Sequence, residues 1–441
     1  MTFPDPSSKS AALFERAKRV LPGGSTRTAS LLSPYPLYAA RAQGCRITDV
    51  DGVERIDFVN NMSSLIHGHA NPAVLEAITS QSRRLLAAAC PTEQEIELAE
   101  LLVERVPGVD QIRFSNSGSE GVLMALRAAR AFTGRPRIAK VEGAYHGNPD
   151  SVEVSIAPSP GSWGPAHAPA SVAATAGISQ NTLDETLVLP FNDLQSSEAL
   201  LHEHGDALAA VVLDPVVSRM GLAKATPEYL AMIRRVTREH GILLVFDEVF
   251  SFRLGYHGLQ GEVRVTPDLT ALGKIIGGGL PVGATGGRAD IMEVFNHTSA
   301  KYSVEHGGTY NGNPMTMAAG LACMRQMTPD AYRHLARLGD KMRDGLRKIL
   351  TEADVPSQIT GQGSLVGLYF VEKPFATYRD LPADNRARKM FGALHRHLLN
   401  HGIYSTSYGL FVLSTAMTDA DIDKVLAEVK AGLPAARKAV A

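Results

Sequence analysis

Two stretches of this chain, Leu208–Leu213 (LAAVVL) and Ile242–Phe246 (ILLVF), are apolar at every position, and an amphipathic segment over Pro227–His240 separates them. A strand with no polar face must be covered on both sides, which is the condition of a parallel sheet layered between helices. The alternation extends along the chain, with short strands predicted at Gln111–Ser115, Arg137–Val141, Thr186–Leu189 and Asp268–Leu272. Helices are predicted from Pro72, behind an Asn71 cap, to about Ala88, and from a Thr92/Glu95 capping box to about Arg105. Another runs over Ser117–Phe132 and is closed by Gly134. The expected fold class is α/β with a mostly parallel sheet.

After about Met327 the pattern changes to helices over Pro329–Thr351 and Asn385–Asn400, alternating strands at Ser364–Phe370 and Leu410–Ser414, and a closing helix over Asp419–Ala431. This reads as a smaller α+β lobe. The expected division is a large domain over 61–327, with 1–60 and 328–441 forming the small one. The segment Ile156–Asn181, rich in Pro, Ser, Gly and Ala, holds the only tryptophan, Trp163, and reads as a long loop, either a lid or a plain surface excursion.

Composition narrows the function. Hydrophobic residues make up 44% of 441, enough to bury a large core. Forty-four Lys and Arg against 45 Asp and Glu leave a net charge of −1, so there is no cationic surplus for a nucleic-acid backbone. The N-terminus shows no signal-peptide or transit character and no stretch is apolar for the ~18 residues a membrane helix needs, so a cytoplasmic location is expected. Cys45, Cys90 and Cys323 are scattered at spacings that fit neither a metal site nor a disulfide framework. His67, His69, His146 and His306 lack helical HxxxH spacing, and no metal is expected.

Asp247, in VFDEV, stands at the carboxyl end of a buried strand, where open parallel sheets bind ligands. Lys274, in ALGKIIGGG, lies just past another apolar strand. It reads either as a solvated loop lysine or as an amine poised to form a Schiff base. Ser117, Gly118 and Ser119, in SNSGSE, run from a strand into a helix; they serve either as ordinary caps or as a phosphate cradle. Tyr145 and His146, in EGAYHG, place an aromatic ring just after a strand, either as core or to stack on a planar heterocycle. The glycine run does not fit a dinucleotide fingerprint, because position 282 is Val, and Gly273-Lys274 is followed by Ile rather than Ser or Thr, so Walker A fails too.

A phosphate cradle, a stacking ring, an acid and an amine together are what pyridoxal 5'-phosphate requires. The linked motifs SNSGSE, YHG, PFND, FDEV, LGKIIGGGLPVGA and HGGTYNGNP resemble those of class-III, fold-type I aminotransferases. The similarity is to the subgroup of glutamate-1-semialdehyde aminomutase, and within it to the β-amino-acid (β-phenylalanine) aminotransferases. The resemblance implies a seven-stranded sheet sandwiched by helices and a homodimer with shared active sites. It implies that Lys274 carries the cofactor and shuttles a proton, and that Asp247 keeps the pyridine nitrogen protonated. Ser117, Gly118 and Ser119 would bind phosphate, Tyr145 and Val249 would flank the ring, and His146, Asn192 and Asp214 would lie near it. Thr309 would reach the phosphate of the neighbouring subunit.

For the substrate, the resemblance points to Arg27 as the carboxylate-binding residue, with Arg41 weaker and Arg253 a structural ion pair. Tyr408 replaces an arginine of those relatives, which opens the second pocket to an apolar or aromatic group. Asp214 stands where the family has Glu, and Gly121 where it has Ala. The implied activity is amino transfer from a β-amino acid, aryl-substituted, or a related amine to a keto acid. The alternatives are an aminomutase or an amine:pyruvate-type transaminase.

Overall fold

The structure, a computed structural model, describes residues 2–28, 32–381 and 385–440. The chain forms two compact units. The larger comprises Pro72–Tyr332 and Pro374–Ala383; the smaller comprises Met1–Asn71, Arg333–Lys373 and Asp384–Ala441.

The larger unit is built on a seven-stranded sheet. Its spatial order is Gln111–Ser115, Gly283–Gly287, Leu269–Gly273, Leu243–Asp247, Leu208–Leu213, Arg137–Val141 and Thr186–Leu189. All neighbours are parallel except Gly283–Gly287, which runs against both strands it joins. Both faces are buried. Val211, Leu213, Leu244 and Phe246 point to the side packed by Tyr229, Leu230, Ile233 and Val236 of helix Pro227–Glu239. Ala210, Val212, Leu243 and Val245 point to the other, packed by Val122, Ala125, Leu126 and Ala129 of helix Gly118–Thr133. The period-2 alternation of two apolar faces is why Leu208–Leu213 and the stretch Leu243–Phe246 carry no polar position.

The smaller unit holds a four-stranded sheet, in the order Ala39–Gln43, Arg46–Asp49, Glu54–Asp57 and Ile403–Tyr404, so the two ends of the chain share one sheet. A second sheet joins Gln358–Thr360, Leu365–Tyr369 and Leu410–Val412. Helices Arg386–Asn400 and Asp419–Lys438 pack on each other.

Several local expectations need correction. Helix Pro72–Arg84 stops short of Ala88. Helix Glu93–Arg105 begins after Thr92, but the Thr92 side chain makes no cap bond and, among the described residues, its Oγ1 is buried without a partner, so no capping box forms. The final helix runs past Ala431 to Lys438 with Pro434 inside it, because Leu433 and Ala436 are buried. The segment 156–181 has no strand or helix before Gln180. It is anchored rather than loose: Trp163 meets Tyr378 edge-on, 6.3 Å between centroids, and Arg379 lies over its ring at 4.8 Å.

Candidate active site

Six strands of the larger unit run in one direction, and each leads at its carboxyl end to a residue singled out in the sequence: Ser117, Tyr145, Asn192, Asp214, Asp247 and Lys274. Parallel strands place such residues along one edge of the sheet, where ligands bind.

Asp247 ends its strand buried, with Oδ1 accepting the Val249 N–H at 3.0 Å and Oδ2 facing His146 Nδ1 at 2.8 Å. Among the described residues, Nε2 of the same imidazole is buried with no hydrogen-bond partner. Asp214, also buried, accepts the Val216 N–H at 3.1 Å. Burial, and then the charge of Asp247, hold its carboxyl well above the usual carboxylate range.

Lys274 follows the neighbouring strand with φ 52°, a left-handed conformation that costs a non-glycine residue ~1–3 kcal/mol and clusters at functional sites. Its Nζ lies 4.8 Å from the centre of the Phe250 ring. Burial lowers the ammonium from 10.5 to about 8, against the opposing pull of Asp247 and Asp214 and with help from Arg253. An amine that sheds its proton near neutral pH is a competent nucleophile toward a carbonyl.

Ser117 caps helix Gly118–Thr133, its Oγ accepting the Glu120 N–H at 3.2 Å. Glu120 returns a bond to the Asn116 N–H at 2.5 Å. The helix start has no room beneath it: a methyl on Gly118 would sit 2.5 Å from Val249 Cγ1. The loop after Tyr145 is pressed on the same turn, with Asn148 N–H donating to Ser119 Oγ at 3.3 Å and Gly147 at φ 85° with its Cα against Ser119. Helix start, Val249, Asp247, His146 and the Tyr145 loop therefore form one contiguous group. Tyr145 remains 39% exposed.

Asn192 bonds to backbone through both ends of its amide. Its Nδ2 donates to the carbonyls of Lys224 and Ala376 at 3.0 and 3.2 Å, and its Oδ1 accepts the Thr226 N–H at 2.9 Å, so the amide clips three backbone segments together. Thr309 is exposed in the single chain. Arg253 is fully buried, which lowers its guanidinium to about 9.

Arg27, Arg41 and Tyr408 belong to the smaller unit, and all three are exposed. Arg27 donates to Asn61 Oδ1 at 2.8 Å. Asn61 lies within four consecutive left-handed residues, Asn60–Ser63, with φ between 47° and 73°. Asp57 Oδ1 holds the start of this turn through the N–H groups of Val59 and Asn60 at 2.7 and 3.0 Å. Asparagine tolerates this conformation better than other non-glycine residues, and the Asp57 bonds together with Asn60 Nδ2 donating to the Val412 carbonyl at 2.8 Å hold the turn.

Two other features escaped the sequence. Arg379 forms a bidentate pair with buried Glu142, at 2.8 and 2.9 Å. Lys140 is wholly buried and donates to the carbonyls of Val141, Ala144 and Val154 at 3.0, 3.0 and 2.7 Å, bracing the chain just before Tyr145. The Arg379–Glu142 pair joins positions that become neighbours only through the fold, and Lys140 is a cation inside an otherwise apolar strand end. Among the described residues, His397, His401 and Glu428 bring possible metal-ligand atoms within 4.8 Å of one another, a cluster that excludes the four histidines considered from the sequence. The three cysteines are free, Cys45 and Cys323 buried and Cys90 exposed.

This edge of a doubly covered sheet, with a carboxylate, a low-proton-affinity lysine and a glycine-padded helix start, defines a fold-type I site for a phosphorylated aldehyde cofactor. Comparison with known proteins agrees. The family model of class-III aminotransferases matches residues 29–433. A glutamate-1-semialdehyde 2,1-aminomutase from Geobacillus kaustophilus is 39% identical over 426 residues, 95% of this chain and 96% of that one. Among solved structures, an omega-transaminase from Sphaerobacter thermophilus superposes with a TM-score of 0.96 at 49% identity, covering 98% of this chain and 99% of that one. A β-phenylalanine aminotransferase from Variovorax paradoxus gives 0.86 at 36%, covering 96% and 93%. The chain belongs to the class-III aminotransferases, which are pyridoxal 5'-phosphate enzymes. Among the described residues, no helix is long and apolar enough to cross a membrane.

The donor set fits that cofactor. A helix N-terminus with two serines suits a dianionic phosphate, a buried carboxylate suits a protonated pyridine nitrogen, and a low-affinity amine suits an aldehyde.

Proposed function

We propose that this enzyme transfers the amino group of a β-amino acid, aryl-substituted, or of a related amine to a keto-acid acceptor in two half-reactions. The observation that carries the reading is the enclosed Lys274 amine in a unit that also presents Asp247, Asp214 and His146. Bound pyridoxal phosphate supplies an electron sink for the carbon that loses its proton. Lys274 would hold the cofactor and, once the donor amine has displaced it, its freed amine would act as the general base that takes and returns that proton. Asp247 keeps a positive charge on the pyridine nitrogen, and His146 fixes its carboxylate in place. Ser117, Gly118 and Ser119 hold the phosphate, while Val249 and Tyr145 confine the ring. Arg27, whose guanidinium donates to Asn61, is the candidate for the donor carboxylate. Thr309, exposed in the single chain, completes the phosphate site of a second copy in a homodimer.

The β-amino-acid donor is supported by likeness to the β-phenylalanine aminotransferase and by Tyr408, an aromatic surface in place of a cation. A second reading, internal amino transfer as in an aminomutase, is favoured by the 39% identity to the Geobacillus enzyme. Product analysis separates the two. Transamination of β-phenylalanine requires added pyruvate and yields alanine in equal amount, whereas an aminomutase isomerises its substrate with no acceptor. Turnover of glutamate-1-semialdehyde without any keto acid, and none of β-phenylalanine with one, would reverse the choice.

A further inference from the structure

We propose that Arg219 binds the carboxylate of the keto-acid acceptor, an assignment that rests on the amino-transfer reading of this site. Beyond Asp214 the chain makes a short hairpin of Val216–Val217 with Ala223–Lys224, and the turn between them carries Ser218–Met220. Val217, Met220 and Leu222 are buried and fix this turn to the body of the larger unit, whereas Arg219 is exposed. Its guanidinium lies 4.8 Å over the ring of Tyr145. Tyr145 in turn feels the charge of Asp247, so the arginine stands beside the same group of residues as the cofactor acid.

Three other arginines of this unit are occupied: Arg379 by Glu142, Arg234 and Arg288 by Asp268. Among the described residues, Arg219 has no carboxylate partner, and its contact is the aromatic face alone. A stacked guanidinium keeps its N–H fork free for a planar anion.

The chemistry of the two substrates calls for a second cation. In an α-keto acid the carboxylate is bonded directly to the reacting carbon, whereas in a β-amino acid one further carbon intervenes. A single fixed guanidinium cannot meet both carboxylates while Lys274 meets both reacting carbons. Tyr408 supplies no charge. Arg219, held in the unit that contains Lys274, supplies the second position.

The test compares acceptors with and without a carboxylate in the second half-reaction, using enzyme first converted to its amino form. Pyruvate and propanal serve as probes with wild type, Arg219→Met and Arg219→Lys. Arg219→Met is expected to raise the half-saturating pyruvate concentration, relative to that for propanal, by about 30-fold, which corresponds to roughly 2 kcal/mol for lost charged hydrogen bonds. Arg219→Lys should recover part of it. An unchanged pyruvate-to-propanal ratio overturns the assignment, including the case where both acceptors slow together because Tyr145 has shifted. Wild-type enzyme that never delivers its amino group to pyruvate refutes the amino-transfer reading itself, and the assignment with it.

Discussion

Replacing Arg379 by Met should destabilise the larger unit by about 3–5 kcal/mol, the usual cost of stranding one member of a buried ion pair. The structure sets that scale. Arg379 gives Glu142 two parallel bonds at 2.8 and 2.9 Å, and the glutamate side chain is only 4% exposed. The same guanidinium donates to the carbonyls of Trp163 and Gly164 at 2.7 and 2.9 Å and covers the indole ring. Methionine fills some of the volume but leaves a carboxylate in a low-dielectric pocket three residues before Tyr145. The double variant Glu142→Gln/Arg379→Met strands no charge and should cost less, about 1–2 kcal/mol. Urea unfolding followed by fluorescence reports on this place, because Trp163 is the only tryptophan in the chain. A single variant that loses less than about 1 kcal/mol, or a double variant no more stable than the single, would refute the argument that this pair is a buried, mutually dependent unit.

Other consequences follow from the same packing. Burial lowers the Lys140 ammonium to about 7. Between pH 7 and the ordinary 10.5 the unfolded chain therefore holds a proton that the folded chain does not, and stability climbs with pH through this window. Lys140→Met should lose that slope, so the wild-type advantage over the variant should grow between pH 7 and 9 by up to about 1.4 kcal/mol per pH unit; parallel stability curves would contradict it. Gly118→Ala puts a methyl 2.5 and 2.8 Å from the two Val249 methyls and should push that side chain into the space of the cofactor ring. Its pyridoxal phosphate affinity, measured by titration of the cofactor-free protein, should fall at least about fivefold, the scale of a 1–3 kcal/mol overpacking cost; unaltered affinity would remove Val249 from the cofactor's surroundings.

Much of the large unit was legible because its strands are apolar on both faces, a pattern that few other environments demand. Gly283–Gly287 was not: GATGG carries no hydrophobic signal and becomes a strand only because its neighbours accept it. Its small residues let helix Gly118–Thr133 lie close, and a methyl on Gly121 would meet the Ala284 carbonyl at 2.7 Å. That explains the glycine at position 121, which the sequence left without a reason. Asp247, Lys274 and the Ser117–Ser119 turn could be read locally, since each directly follows or ends a strand. Arg379 with Glu142, Arg219 with Tyr145, and the Asn192 clip join residues from 32 to 237 positions apart only through the fold.

The most direct test of the central claim is a single half-reaction. Cofactor-loaded enzyme is mixed with β-phenylalanine and no acceptor, while the visible absorbance of the lysine-bound cofactor is followed. The band should be lost in proportion to the amine added, pyruvate should restore it, and Lys274→Ala should show neither change. An absorbance that persists with β-phenylalanine, or a Lys274→Ala protein that still exchanges amino groups at the wild-type rate, would contradict that claim.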